Sequence, residues 1–448
     1  MSTRTIALNW TLGDVASALR GDLIGDPGVV IKAVEIDSRE VSDGALFVAI
    51  AGDRFDGHDF VAQAVSGGAG AVIVERGRSV GIEPRIEVDS TLTALRDLAA
   101  HRRDELTMQV VAITGSTGKT STKDLVAAGI PGSWASPRSF NNEVGVPLTV
   151  LGTPDDATVL IVEVGSRGAG HIRWLAPAIK PDIAVVTNLG VVHLETFGSV
   201  SGLAAAKFEL IESLTESGVA IIPSNESRLV PGGNVRTLTF GGSPADVEVS
   251  SAEVDSTGSA RYVLTIDGSA HSGSLAMAGS RQTFNLAAGA AVALALGIPV
   301  AEFLRNAASA TGSDWRMDVH VGRYTVVNDA YNANPQSVEA ALRTVASMEG
   351  RSVAVLGPMA ELGSVCEMSH REMGGIASDL DFAAVIVVGP DHGYGLGASE
   401  RVVHVADIQA ARDTLATLVE PGDVVLVKAS RSVGLERLAS ALIKEIAQ

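Results

Sequence analysis

The chain alternates short apolar runs with stretches of helical periodicity, and the clearest run is Val110, Val111, Ala112 and Ile113. Four apolar or β-branched residues predict a buried strand. They pass into Gly115, Ser116, Thr117, Gly118, Lys119, Thr120 and Ser121, where a helix-like pattern begins. Strand, glycine loop, Lys-Thr and helix is the order of a phosphate cradle, because loop N–H groups and the helix N-terminus then point at the same anion. Lys119 is expected to reach the β and γ phosphates and the Thr120 hydroxyl to ligate Mg²⁺. The full G-x-x-x-x-G-K-[ST] pattern is absent, since Ile113 stands where its first glycine belongs. The shorter G-x-x-G-K-T draws its meaning from the strand before it and the helix after it.

Ahead of this stretch, TLGDVASALRG places Leu12, Val15, Ala16 and Leu19 on one helical face, and Thr11 with Asp14 reads as a capping box. VVIKAVEIDSREV, LFVAIAG and AGAVIVE are strand runs. Between them Asp37, Ser38 and Arg39 offer a carboxylate, a hydroxyl and a guanidinium, which is either a surface turn or a contact for a small polar ligand. From about residue 89 strands alternate with helices, as a doubly wound sheet requires. Ligands bind such sheets at the carboxyl ends of strands. Glu163 and Asn188 lie near two such ends, with His193, Glu195 and Lys207 after the second.

Glu163 is anomalous in an apolar strand, because an unpaired carboxylate there costs on the order of several kcal/mol. It needs either Mg²⁺ or a lysine or arginine partner. His193 alone reads as a surface or core histidine, and Lys207, among Ala204, Phe208 and Leu210, as a snorkelling lysine. Residues 218 to 310 give a strand-rich insert without a chemical cluster, read as scaffold, then a helix from about Gln282 to Leu296. A third unit begins near Trp315. In it Asn328, Asp329, Tyr331, Asn332 and Asn334 follow the strand YTVV and precede Pro335, suited to a first helical turn. Lys428, Ser430 and Arg431 end another strand and are expected to face the same edge.

These patterns predict an α/β protein of three domains: residues 1–88, a small α/β unit; 89–315, a P-loop doubly wound sheet; and 316–448, a Rossmann-like α/β unit. Hinges are expected near 88 and 315. A chain of 448 residues is too long for one core, which agrees. The net charge of −18 argues against nucleic acid and an anionic membrane surface, so any phosphate must be held locally. The single cysteine, Cys366, excludes an internal disulfide and a Cys-based zinc site. The start MSTRTIALNWTLGD has no apolar core of signal-peptide length, and Leu286 to Val300 reads as a buried helix. A cytoplasmic protein without membrane insertion is expected, most simply a monomer.

Taken together the motifs resemble those of the Mur ligases over nearly the whole chain. IDSREVSDGALFVAIAGDRFDGHDF is similar to the family's uridine-nucleotide domain, and AITGSTGKTS to its short phosphate loop. NNEVGVPLT, VEVG, TNLGVVHLETFGS and AAAKFE are similar to its central motifs. NDAYNANPQS, LGPMAELG and LVKASR resemble the member that handles D-alanyl-D-alanine, and the DNPR of the diaminopimelate-adding member is absent.

The resemblance implies an ATP-dependent, Mg²⁺-requiring amide ligase that joins D-alanyl-D-alanine to UDP-N-acetylmuramoyl-tripeptide through an acyl phosphate, in peptidoglycan synthesis. It implies Mg²⁺ ligation by Thr120, Glu163, His193 and a carbamylated Lys207, with Lys119, Glu163, His193, Lys207 and Arg316 serving catalysis. Gln282, Asn285, Arg316, Asn328, Asp329 and Tyr331 would meet the nucleotide. Ser38 and Arg39 would face the uracil end of the UDP-sugar, and Asn332, Asn334, Lys428, Ser430 and Arg431 the substrates of the third domain. Three positions depart from the family pattern: Arg281 stands for a histidine, Gln282 for an asparagine and Pro358 for the aspartate of LGDM. A paralogue with another carboxylate or amine, or a P-loop hydrolase or switch, remains an alternative.

Overall fold

The run at 110–113 lies inside strand Gln109–Thr114, third from one edge of a nine-stranded sheet. This computed structural model describes residues 8–52, 55–78, 81–137, 139–190, 197–397 and 401–447. From that edge the strands are Trp134–Ala135, Val159–Glu163, Gln109–Thr114, Ile183–Val186, Val219–Pro223, Arg236–Gly241, Val247–Val254, Ser259–Ile266 and Ser269–Ala278. The first seven run parallel and the last two complete an antiparallel meander. Because side chains alternate along a strand, Val110 and Ala112 enter the apolar cluster on one face while Val111 and Ile113 enter the other.

The second face is covered by helices Lys119–Gly129 and Arg281–Leu296, the latter with Leu286 through Ala293 fully buried. The insert that reads as scaffold therefore widens the central sheet. Its loops do more than support, since Ser224 to Glu226 and Phe240 to Pro244 form one wall of the main cleft.

The N-terminal unit is a five-stranded sheet, in order Asp22–Ile24, Arg85–Val88, Ala71–Glu75, Ala45–Val48 and Ala33–Glu35. Helix Leu12–Leu19 starts with the expected capping box: Asp14 N donates to Thr11 Oγ1 at 3.2 Å, and Thr11 N to Asp14 Oδ2 at 3.0 Å. Helix Thr91–Glu105 packs on Leu12–Leu19 and on central helices Gly145–Leu151 and His171–Ile179, so one apolar cluster runs from this unit into the central sheet.

The third unit has separate clusters around a six-stranded sheet. Its order is Asp318–Val321, Thr325–Asn328, Val424–Lys428, Ser352–Leu356, Ala384–Val388 and Val402–Val405, parallel except for the first strand. Helix Pro335–Ala346 begins with Pro335 in its first turn and Asn334 as N-cap. Among the described residues no helix is long and apolar enough to cross a membrane.

Candidate active site

Strand Gln109–Thr114 lies between Val159–Glu163 and Ile183–Val186, with Ile113 in register with Glu163 on one side and Val185 on the other. The chain reverses direction across the sheet at this point, and such a reversal opens a crevice at the carboxyl edge. The cleft there has a volume of about 910 Å³ and is bounded by the central and third units.

The glycine loop is held in shape from the neighbouring strand end. Thr117 N donates to Asn188 Oδ1 at 2.8 Å, Asn188 Nδ2 to Thr117 Oγ1 at 2.6 Å, and Thr187 Oγ1 to the Thr117 carbonyl at 2.5 Å. Gly115 and Gly118 have φ of +147° and +81°, a region that side chains rarely enter. Gly118 caps helix Lys119–Gly129, so the first N–H groups of that helix open on the cleft. Lys119 Nζ donates to the Gly115 carbonyl at 2.7 Å. Burial lowers the Lys119 pKa, with Glu163 opposing the shift and Arg316 adding to it.

Glu163 is fully buried, yet its carboxylate accepts from neutral donors, Thr120 Oγ1 at 2.9 Å and Asn141 Nδ2 at 2.7 Å. Among the described residues it has no ion-pair partner within 4.0 Å, so the salt-bridge alternative for this side chain does not hold. A buried anion with its hydroxyl neighbour is a hard-oxygen pair of the kind that takes Mg²⁺ along with phosphate oxygens and water. Among the described residues no three His, Cys, Asp or Glu side chains cluster as a metal site.

Lys207 is not a snorkelling lysine. It is 4% exposed, and burial drives its pKa well below the usual value, with Lys119 adding to the shift and Glu209 opposing it. The amine is thus held toward its neutral form, the form that reacts with CO₂. His193 lies outside the described residues.

Across the cleft, the Arg316 guanidinium stacks 3.9 Å from the Tyr331 ring centroid and donates to Ser139 Oγ at 3.2 Å. Asp329 Oδ1 accepts from Met317 N at 3.1 Å. Gln282 Oε1 accepts from Asn285 Nδ2 at 2.8 Å, beside the half-exposed ring of Phe284. Gly115 to Ser121, Glu163, Lys207, Gln282, Asn285, Arg316, Asp329, Tyr331, Asn332, Asn334 and Lys428 all border this one cleft.

Other expected site residues have different work or lie elsewhere. Lys428 is buried with its ammonium on the Asp329 carboxylate and the Asn332 carbonyl, so it braces the 329–332 turn. Asn334 spends its side chain on the helix cap, accepting from Ser337 N at 3.0 Å. Asn328 is buried outside the cleft lining and accepts from Ala330 N at 3.3 Å. Ser430 is buried behind the edge, where its hydroxyl accepts from Ala360 N at 2.8 Å. Arg431 stacks on Trp315 at 4.2 Å and pairs with Glu436 at 3.3 Å, not with the cleft. Ser38 bonds Gln63 at 3.2 Å and Arg39 bonds Asp37, both on the N-terminal unit and outside the cleft lining.

The sequence reading missed Asn141 as a partner of Glu163, although it lies in the quoted NNEVG run. It also missed His171, which begins helix His171–Ile179 in the cleft. Burial lowers the His171 pKa against the opposing pull of Glu143. The neighbouring Arg167 N donates to His171 Nδ1 at 3.0 Å. Nothing local in sequence marks a helix-starting histidine as cleft-facing.

Family models match in three consecutive blocks: "Mur ligase family, catalytic domain" over residues 30–103, "Mur ligase middle domain" over 113–293 and "Mur ligase, glutamate ligase domain" over 315–431. The UDP-N-acetylmuramoyl-tripeptide--D-alanyl-D-alanine ligase of Bacillus subtilis (strain 168) is 33% identical, over 97% of this chain and 98% of its own. The ligase of the same name from Mycobacterium leprae (strain TN) is 37% identical, over 92% and 93%. MurF from Acinetobacter baumannii superposes with a TM-score of 0.90 at 27% identity, covering 98% of this chain and 99% of that one. MurF ligase from Thermotoga maritima in complex with ADP gives 0.84 at 30% identity, covering 93% and 98%. Similarity that runs from end to end, on a fold with the same three-part order, leaves one conclusion: this chain belongs to the Mur ligase family.

Proposed function

We infer that this chain is an ATP-dependent amide ligase that adds D-alanyl-D-alanine to UDP-N-acetylmuramoyl-tripeptide in peptidoglycan precursor synthesis. The observation that carries the reading is the meeting of glycine loop, buried Glu163 and buried Lys207 in one cleft, in a chain matched along its length by ligases of that name.

In this reading the γ-phosphoryl group of ATP passes to the terminal carboxylate of the tripeptide, forming an acyl phosphate and ADP. The amine of D-alanyl-D-alanine then attacks the acyl carbon and phosphate leaves. Phosphoryl transfer of this kind depends on positioning and charge neutralisation more than on covalent help. The loop amides and the start of helix Lys119–Gly129 seat the phosphates. Lys119 and Arg316, from opposite walls, supply positive charge where the transferred group sits. Thr120, Glu163 and a carbamylated Lys207 would hold Mg²⁺, which when bound screens the repulsion between triphosphate and carboxylate. Asn141 orients Glu163 for that task. Gln282, Asn285 and Phe284 form the base end of the cleft, and Gln282 keeps the amide chemistry of an asparagine.

The division at residues 88 and 315, a cytoplasmic location, and closure of the third unit on the central one belong to the same reading. The test is incubation with UDP-N-acetylmuramoyl-tripeptide, ATP and D-alanyl-D-alanine, read by mass spectrometry and phosphate release. The expected result is a pentapeptide product, with phosphate released only when both co-substrates are present. Equal ATP hydrolysis without the amine would overturn the ligase reading in favour of a hydrolase.

A further inference from the structure

We propose that Gln336 is a positioning residue through which the third domain, when docked, sets the glycine loop for ATP. The inference rests on the ATP-dependent reading above and adds a residue that reading does not use.

Gln336 occupies the first turn of helix Pro335–Ala346, directly after the NDAYNANP turn. Its side chain crosses to the central domain, where Asn188 Nδ2 donates to Gln336 Oε1 at 3.4 Å. Asn188 is the residue that shapes the loop: its Oδ1 accepts from Thr117 N at 2.8 Å and its Nδ2 donates to Thr117 Oγ1 at 2.6 Å. One amide side chain therefore links the loop to the other domain. Bonds to Thr117 fix which end of the Asn188 amide is oxygen, and only the N–H₂ end is left to meet an acceptor. Gln336 provides that acceptor.

Gly190 makes the approach possible. A Cβ built there would run into the Gln336 amide oxygen, and the three atoms nearest to it all belong to that amide. Gly190 is not among the glycines with positive φ, so its backbone does not demand glycine. Its lack of a side chain serves the passage of Gln336. The same residue is tied to the loop, with Gly190 N donating to Ser116 Oγ at 2.9 Å. Docking of the third domain is in this way read at Ser116, Thr117 and Asn188 together. Undocking removes the Gln336 acceptor from Asn188 Nδ2, and the Asn188 amide is then held only by its two bonds to Thr117.

Gln336→Ala and Gly190→Ala test this from opposite sides. In the full-length protein each is expected to raise KM for ATP by roughly 3- to 10-fold, the size of one neutral hydrogen bond, with thermal midpoint unchanged. The double variant is expected to be no worse than Gln336→Ala alone, because the alanine at 190 then has nothing to displace. Additive effects, an unchanged KM for ATP in Gln336→Ala, or a loss of activity that follows a loss of thermal midpoint would each overturn the proposal. Should the unaltered protein form no amide product, the ligase reading fails instead, and that result is visible before any variant is made.

Discussion

Thr120 Oγ1 donates to Glu163 Oε2 across 2.9 Å, joining the last residue of the phosphate-loop motif to the last residue of the neighbouring strand. The pair is positioned by register, since Glu163 lies beside Ile113, one residue before the end of the strand from which the loop departs. A hydroxyl and a carboxylate are thereby fixed at the spot where a phosphate-bound cation would be shared.

Glu163→Gln removes the charge and keeps the shape. Amide formation is expected to fall by about 10²–10³-fold, the scale of losing one preorganised electrostatic contact. The thermal midpoint should hold or rise, because a buried anion whose hydrogen bonds come only from neutral donors is costly. A variant retaining more than a tenth of the activity would refute a metal-holding role for this carboxylate.

Lys207→Ala should abolish turnover, and short carboxylic acids added to the assay should restore part of it by standing in for the carbamate. The depressed amine pKa also has a stability consequence. Between the folded pKa and the unfolded value of 10.5, the unfolded chain binds more protons than the folded one, so stability rises with pH over that window and is lost as pH falls through the folded pKa. Denaturant midpoints measured across pH should show that slope, and Lys207→Met should flatten it. A slope of equal steepness in the variant would place the effect elsewhere.

Gly115→Ala and Gly118→Ala address the loop itself. A Cβ at 118 would lie 2.5 Å from Asn285 Oδ1, and one at 115 would collide with the Thr187 hydroxyl. Both backbones are also left-handed. Displacing the loop by even an ångström is expected to cost about 10²-fold in kcat/KM for ATP. Nucleotide binding by calorimetry separates this from global unfolding, and near-native affinity in either variant would contradict the cradle.

His370 gives the third unit a pH dependence of its own. Its Nε2 accepts from Met359 N at 2.9 Å and its Nδ1 donates to the Cys366 carbonyl at 2.7 Å, so the ring holds the turn after strand Ser352–Leu356 in its neutral form. Burial lowers its pKa from 6.5, aided by His392 and opposed by the Cys366 carbonyl and Asp391. With the folded pKa below the unfolded one, this contribution is complete above about pH 6.5 and disappears as pH falls through the folded value. The protection factor of Met359 N, which corrects its exchange rate for the intrinsic pH dependence, should fall on acidification through that range. Constant protection would show that His370 stays neutral there or does not hold the turn.

Pro358, where the family pattern has an aspartate, sits in the turn that His370 and Ser430 pin through Met359 N and Ala360 N. The turn is thus held by backbone donors at the two positions after the departure.

Much of this protein was written in local patterns. Apolar runs bounded by glycine marked the strands, the Thr11–Asp14 cap and Pro335 marked helix starts, and the loop from Gly115 to Thr120 announced a phosphate site, because each depends on residues within a few positions of one another. Sequence also flagged Glu163, since a carboxylate in an apolar run is costly wherever the strand lies. Only the tertiary structure decided what each charged side chain faces. Burial turned Lys207 from a surface lysine into a depressed amine, and Lys428 from a ligand contact into a brace on Asp329. It also converted the 218–310 insert into a cleft wall and brought Gln336 to Asn188. Charge interactions act through space and depend on desolvation, so their outcome is set by which distant segments the fold packs together.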